Sequence, residues 1–255
     1  MIVELKNLIQ RIFLTTGYEL RKREVVSEYC YVPRYLCPSA HKLIDFRQET
    51  DFLEIAKEIK AQGQTHLDYN RLFVLWHAVK NTYMLNQSIA EVGVWRGGST
   101  KFLATALARF NNYQPLHAFD TFEGMPETVD KSKDGNCYLG QHDDVSLEAV
   151  KEYLSPFKNI AIHVGKFEDT SAELSPSTIF SLVHLDVDIY ASTVNCLEYF
   201  WPRLAGYGTI VLDDYGFTTC PGVKLAVEQF LSQVESVQTW YMISTGQFVI
   251  QKMGS

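Results

Sequence analysis

From Ser88 onward the chain alternates short, mostly apolar runs with helix-length amphipathic stretches, and this alternation restricts the fold more than any other feature. The runs lie at 89–94, 115–119, 160–164, 180–186 and 209–212. A strand that is apolar on both sides must be covered on both sides, which is the condition of a parallel sheet wrapped by helices. Helical spacing at 99–110, 147–154, 192–201 and 223–234 supplies that covering. Two last runs, 237–241 and 247–251, are joined through Gly246 and read as a closing antiparallel pair. The predicted fold is α/β: a Rossmann-like domain with a central, mostly parallel seven-stranded sheet and helices on both faces.

Ahead of this pattern, helices are predicted at 51–61 and 67–85. Residues 24–50 are rich in aromatics and interrupted by Pro33 and Pro38, so they cannot form one continuous helix. They read as a lid over a substrate or as a packed connection. Leu5, Leu8, Ile9, Ile12 and Phe13 fall at helical spacing before Arg21-Lys22-Arg23. That amphipathic helix suits packing onto its own domain or onto a second copy in a homo-oligomer, with weak peripheral membrane contact as the alternative. The expected division is a helical N-terminal extension over 1–66 and the main domain over 67–255.

A net charge of −7 opposes broad nucleic-acid binding, which needs a basic footprint. No run reaches the roughly 18 apolar residues of a membrane span, and the N-terminus lacks the apolar core of a signal peptide. Cys30, Cys37, Cys137, Cys196 and Cys220 show no metal-type spacing and read as reduced thiols, with a zinc or disulfide role as the alternative. The expected location is cytoplasmic.

The first strand of the alternation runs into Glu91-Val92-Gly93-Val94-Trp95-Arg96-Gly97-Gly98-Ser99-Thr100. In open α/β sheets ligands bind beyond the carboxyl ends of the strands. Glycine there lets backbone approach a ligand, and Ser99 or Thr100 suits the cap of the next helix. The loop lacks the G-x-G-x-x-G spacing of a dinucleotide site, which counts against a nicotinamide dehydrogenase. Candidate cofactor contacts are Glu91, Gly93, Trp95, Gly98 and Ser99, with Asp120 and Thr121 at the tip of the second strand. A carboxylate before the loop suits a cationic amino acid end, and one at the second tip suits ribose hydroxyls. Together they describe S-adenosylmethionine. A plain strand–helix turn and an acid capping its own turn are the structural alternatives.

The fourth strand ends Leu185-Asp186-Val187-Asp188 and the fifth ends Leu212-Asp213-Asp214. Carboxylates gathered at one sheet edge repel one another unless a positive group joins them. Mg²⁺ or another hard divalent cation suits such oxygens, which makes Asp186, Asp213 and Asp214 candidate ligands and Asp186 a cofactor neighbour as well. Helix capping or hydrogen bonding to the cofactor is the alternative use of these acids. Candidate general bases are His142, which follows a long loop and is otherwise a surface residue, and Asp188, which could instead support the metal from outside its ligands. His184, inside a strand, reads as a hydrogen-bonded core residue.

The segments 91–100, Phe119-Asp120-Thr121-Phe122-Glu123-Gly124-Met125-Pro126, Phe167-Glu168-Asp169-Thr170, 185–190 and Asp213-Asp214-Tyr215-Gly216 together resemble the macrocin O-methyltransferase family from about residue 67 to the C-terminus. The resemblance implies a class I methyltransferase that uses S-adenosylmethionine and Mg²⁺ to methylate a sugar hydroxyl of a natural product. It implies that Glu91 and Gly93 hold the amino acid end of the cofactor and Asp120 its ribose. Gly165 and Phe167 would lie by the adenine, and Asp186, Asp213 and Asp214 would hold the metal. Val187 departs from the family's D-G-D segment. A small glycosylated acceptor is the implied partner. Methylation of a catechol-like phenol, or a non-catalytic scaffold that binds the cofactor, are the other readings.

Overall fold

The computed structural model describes residues 49–254. The expected helix at 3–20 and the aromatic segment up to residue 48 lie outside the described residues. Helices α1 (Thr50–Ala61) and α2 (Tyr69–Thr82, continued by a short 3₁₀ turn) precede β1 (Ser88–Val92) and α3 (Gly98–Arg109). Next come β2 (Leu116–Asp120), a long loop, α4 (Leu147–Leu154), β3 (Ile160–Val164) and the short α5 (Phe167–Ser171). The chain continues through β4 (Phe180–Leu185), α6 (Tyr190–Arg203), β5 (Leu204–Leu212) and α7 (Pro221–Leu231), and closes with β6 (Val237–Met242) and β7 (Gln247–Lys252).

The strands form one seven-stranded sheet in the order β3-β2-β1-β4-β5-β7-β6. The first five pair in parallel, and β7 runs antiparallel to both β5 and β6. Alternate residues of each strand feed opposite layers. Ile89, Leu182 and Val211 pack with Phe52, Leu72, Leu75 and Phe102 from α1–α3. Ala90, Val183 and Ile210 pack with Leu197, Phe200 and Val227 from α6 and α7 on the other face. Phe52, Ile55, Ala56 and Ile59 of α1 are buried in that first layer, so residues 50–61 share the core of the main domain.

β1 lies between β2 and β4, so the connections after β1 and β4 leave to opposite faces and a crevice opens at their carboxyl ends. The register decides what lines it. Glu91 is paired with His184 and His184 with Val211, while Val92, Leu185 and Leu212 form the next row. One further residue along, Asp186 N–H donates to the Val92 carbonyl (2.9 Å) and Asp213 N–H to that of Leu185 (2.9 Å). The last row at the crevice is thus Gly93, Asp186 and Asp213.

Candidate active site

Gly93 is required by that row. Its φ is +91°, and a Cβ there would lie 1.9 Å from the Asp186 carbonyl oxygen. Only a residue without a side chain lets β1 and β4 run on side by side into the crevice. Gly98 has a different task. Its N–H donates to the Gln64 carbonyl (3.0 Å), and a Cβ would lie 2.4 Å from the same oxygen. It lets the segment before α2 cross the start of α3, and it does not line the cavity.

The cavity beyond these strands holds about 580 Å³. Its wall includes Gly93, Trp95, Ser99, Asp120, Thr121, Gly165 and Phe167, all singled out in the sequence. Asp120 Oδ2 accepts from the N–H groups of Val94 (2.7 Å) and Trp95 (2.8 Å), and Oδ1 accepts from Phe122 N–H (2.7 Å). The β2 acid therefore braces the loop after β1 while still facing the cavity. Gly165, with φ +137°, donates its N–H to the Asp120 carbonyl (3.0 Å). Phe167 turns mostly inward, its ring 5.3 Å from those of Phe119, Tyr199 and Phe200.

Glu91 sits behind the cavity wall and is fully buried. Its Oε1 accepts from His184 Nδ1 at 2.8 Å, and its Oε2 accepts from the Thr100 hydroxyl. The two residues are neighbours in the register, which is why they meet. His184 Nε2 points toward Asp213 Oδ1 at 3.8 Å, an electrostatic rather than a hydrogen-bonding separation. Burial alone would push the imidazole down; the flanking Asp213 and Glu91 outweigh it and push it up to about 10. The two acids, one behind the loop after β1 and one at the β5 tip, favour the protonated form of the His184 imidazole between them.

Asp186, Asp213 and Asp214 each bring one carboxylate oxygen to within 4.8 Å of the others. Burial and the charges of Asp213 and Asp188 push Asp186 up to about 7. Burial and all three neighbouring acids push Asp214 well above the usual carboxylate range. Asp213 is also buried, but it is held below that range by His184, by Arg71 and by the Gln247 amide, whose Nε2 donates to Oδ1 at 2.8 Å. Asp214 Oδ2 is buried without a hydrogen-bond partner. Crowded acids and an orphaned oxygen are what a divalent cation relieves, so this donor set fits one.

Arg71 is the feature that sequence reasoning did not find. It projects from the first turn of α2, and its guanidinium pairs with Asp213 Oδ2. Nothing local marks it, because its partner lies 142 residues away. His66 was also missed. Its ring lies 4.1 Å from that of Trp95 and 6.0 Å from that of His142 on the cavity wall. His142 is exposed, has φ +67°, and meets the Gln141 amide at 3.2 Å.

A second pocket of about 300 Å³ opens beside the first. Arg71, Gln141, Asp188 and Asp214 line both, and Asn136, Cys137, Phe217, Thr219 and Cys220 complete the smaller one. Asp188 thus borders both spaces, whereas His142 borders only the larger.

The sequence from residue 8 to 244 matches the family described as Macrocin-O-methyltransferase (TylF). The chain belongs to the macrocin-O-methyltransferase family, and with it to the O-methyltransferases. The family match begins well before residue 67, where the legible motifs start. It is 32% identical over 142 residues to an 8-demethyl-8-(2,3-dimethoxy-alpha-L-rhamnosyl)-tetracenomycin-C 4'-O-methyltransferase of Streptomyces olivaceus, over 52% of this chain and 54% of that protein. It is 26% identical to the mycinamicin III 3''-O-methyltransferase of Micromonospora griseorubida, over 74% of this chain and 81% of that protein. In fold it is similar to the O-methyltransferase NovP, with a TM-score of 0.63 and 22% identity over 74% of this chain and 82% of that one.

Proposed function

We propose that the chain transfers a methyl group from S-adenosylmethionine to a hydroxyl of a sugar carried by a small natural product. The observation that carries this reading is the pair of adjoining spaces that share the acidic edge of the sheet. The larger suits the donor, and the smaller suits an acceptor presenting oxygen to Asp188 and Asp214. The relatives named above act on rhamnosyl-tetracenomycin and mycinamicin substrates, which supports a glycosylated acceptor.

On this reading Asp120 and Thr121 hold the ribose, and Gly165 and Phe167 flank the adenine. Gly93 and Ser99 leave room for the amino acid end. Glu91 acts from behind the wall, through Thr100 and His184, by fixing the loop. Asp186, Asp213 and Asp214 would hold a divalent cation, which when bound lowers the pKa of a coordinated hydroxyl. Asp188, facing both spaces, is the better placed of the two candidate bases to accept the hydroxyl proton. Holding acceptor and methyl donor on opposite sides of one acidic edge restricts their approach to near-attack geometry, a large share of the rate in such transfers.

The test is calorimetric titration with S-adenosylmethionine before and after EDTA and after Mg²⁺ is restored, followed by a screen of glycosylated and phenolic acceptors. Cofactor binding and metal-stimulated methylation of a sugar hydroxyl are expected. Failure to bind S-adenosylmethionine in every condition removes the proposal; turnover of phenols alone replaces the acceptor class.

A further inference from the structure

Two cysteines far apart in sequence come together at the smaller pocket. Cys137, on the long loop after β2, and Cys220, the residue before α7, have their sulfurs 3.9 Å apart although 83 residues separate them. Cys220 Sγ lies 3.3 Å from Asp188 Oδ1. Cys220, Asp188 and Asp214 each bring one donor atom to within 4.8 Å of the others. Asp214 Oδ2 is buried and has no hydrogen-bond partner.

We propose that Cys137, Cys220, Asp188 and Asp214 form a second cation site, which takes a borderline-soft divalent ion such as Zn²⁺. Two sulfurs and two carboxylate oxygens are a donor set for zinc, whereas hard Mg²⁺ avoids thiolates. The spacing agrees. In a tetrahedral site with Zn–S bonds of about 2.3 Å the sulfurs stand roughly 3.8 Å apart. The Cys137–Cys220 separation of 3.9 Å already matches that value, and Cys137, whose sulfur faces the carbonyls of Asp188 and Thr219, would turn toward the two carboxylates as an ion binds.

The site is held in shape without an ion. Asp134 is fully buried, and its carboxylate accepts from Tyr190 N–H (2.7 Å) and Asp130 N–H (2.7 Å). Asn136 N–H donates to the Thr219 carbonyl (3.3 Å), which ties the loop of Cys137 to the residue before Cys220. Burial and the nearby Asp188 charge push both thiols up, so neither is a ready nucleophile on its own. An incoming cation reverses that balance, and each thiol loses its proton to solvent as the metal bond forms. Arg71 lines the same pocket, but its guanidinium is committed to Asp213.

Asp214 belongs to both donor sets, so an ion here would draw it away from Asp186 and Asp213. That consequence, inhibition of metal-supported turnover by zinc, rests on the proposed function; the site itself does not.

The test uses the full chain carrying Cys30→Ser and Cys37→Ser, reduced and stripped with chelator, titrated with Cd²⁺ or Co²⁺. A thiolate-to-metal charge-transfer band should grow to one equivalent and be bleached by Zn²⁺ (for Cd²⁺, shifted). It should vanish in the Cys137→Ser/Cys220→Ser double variant. In Asp188→Asn, which keeps both sulfurs, affinity should fall at least about tenfold. Asp213→Asn should retain the band even if methyl transfer is lost, which separates this site from the proposed activity. The absence of a band in folded, reduced protein overturns the proposal, as does a band that survives loss of both sulfurs.

Discussion

The Arg71 guanidinium, carried on α2, forms a buried ion pair with Asp213 at the tip of β5, and so a cation of the chain itself already sits against the acidic cluster. Asp213 is fully buried, and the Arg71 side chain is 15% exposed. Removing Arg71 leaves the buried Asp213 carboxylate with only His184 and the Gln247 amide to offset it, at a cost of up to about 3–5 kcal/mol. Arg71→Met should lower the unfolding free energy of metal-free protein by about that amount. Excess Mg²⁺ should recover part of it by taking over the counter-charge. Denaturant unfolding with and without Mg²⁺ measures both, and an unchanged midpoint would show that the pair contributes nothing.

Asp214 is the acid with an orphaned oxygen and a place in both pockets. Asp214→Asn should reduce metal-stimulated methyl transfer at least about a hundredfold, while S-adenosylmethionine affinity stays within about threefold. Steady-state kinetics beside calorimetry separates the two. Full turnover in this variant would remove Asp214 from the chemistry.

His184 gives the fold a pH dependence. Its folded value of about 10 lies above the ordinary one of about 6.5, so the stability it contributes is complete below the lower value. It is lost progressively as pH rises toward the upper one. Thermal midpoints of metal-free protein should fall across that window, and His184→Gln should be less stable at neutral pH but flatter over it. Parallel curves for the two proteins would contradict a buried imidazolium.

Gly93→Ala forces a methyl group against the Asp186 carbonyl and a side chain onto a φ of +91°. Both effects push β1 and β4 apart at the crevice. The variant should melt several degrees lower and lose at least about tenfold in cofactor affinity, read by thermal unfolding and calorimetry. Wild-type binding in a folded variant would mean the row at Gly93 and Asp186 does not shape the cofactor site.

Much of this architecture was legible because burial on both faces leaves a compositional trace. The strand Phe180–Leu185, buried at every position, ends within one residue of the apolar run that predicts it, and even the edge strand Ile160–Val164 and the amphipathic helix Leu147–Leu154 have their predicted bounds. The prediction faltered where pattern is weak. Helix α5 spans only Phe167–Ser171, too short for a helical period to show. Strand β5 starts at Leu204 rather than 209 because Gly206 and Gly208 interrupt its apolar run. Helix α6 continues to Arg203 through Pro202, which removes one backbone hydrogen bond in the last turn without ending the helix before it.

The order of residues by itself determined which segments become strands and helices, which strand tips carry acids, and where glycine must stand. These are local properties, set by the alternation of side chains along one segment. Only the tertiary structure decided that Glu91 meets His184, that Gly93, Asp186 and Asp213 form one row, that Arg71 pairs with Asp213, and that Cys137 faces Cys220. The physical reason is that such pairings depend on strand register and on which layer each helix packs against. Both arise from burying many apolar groups at once, and neither is written in any single stretch of chain.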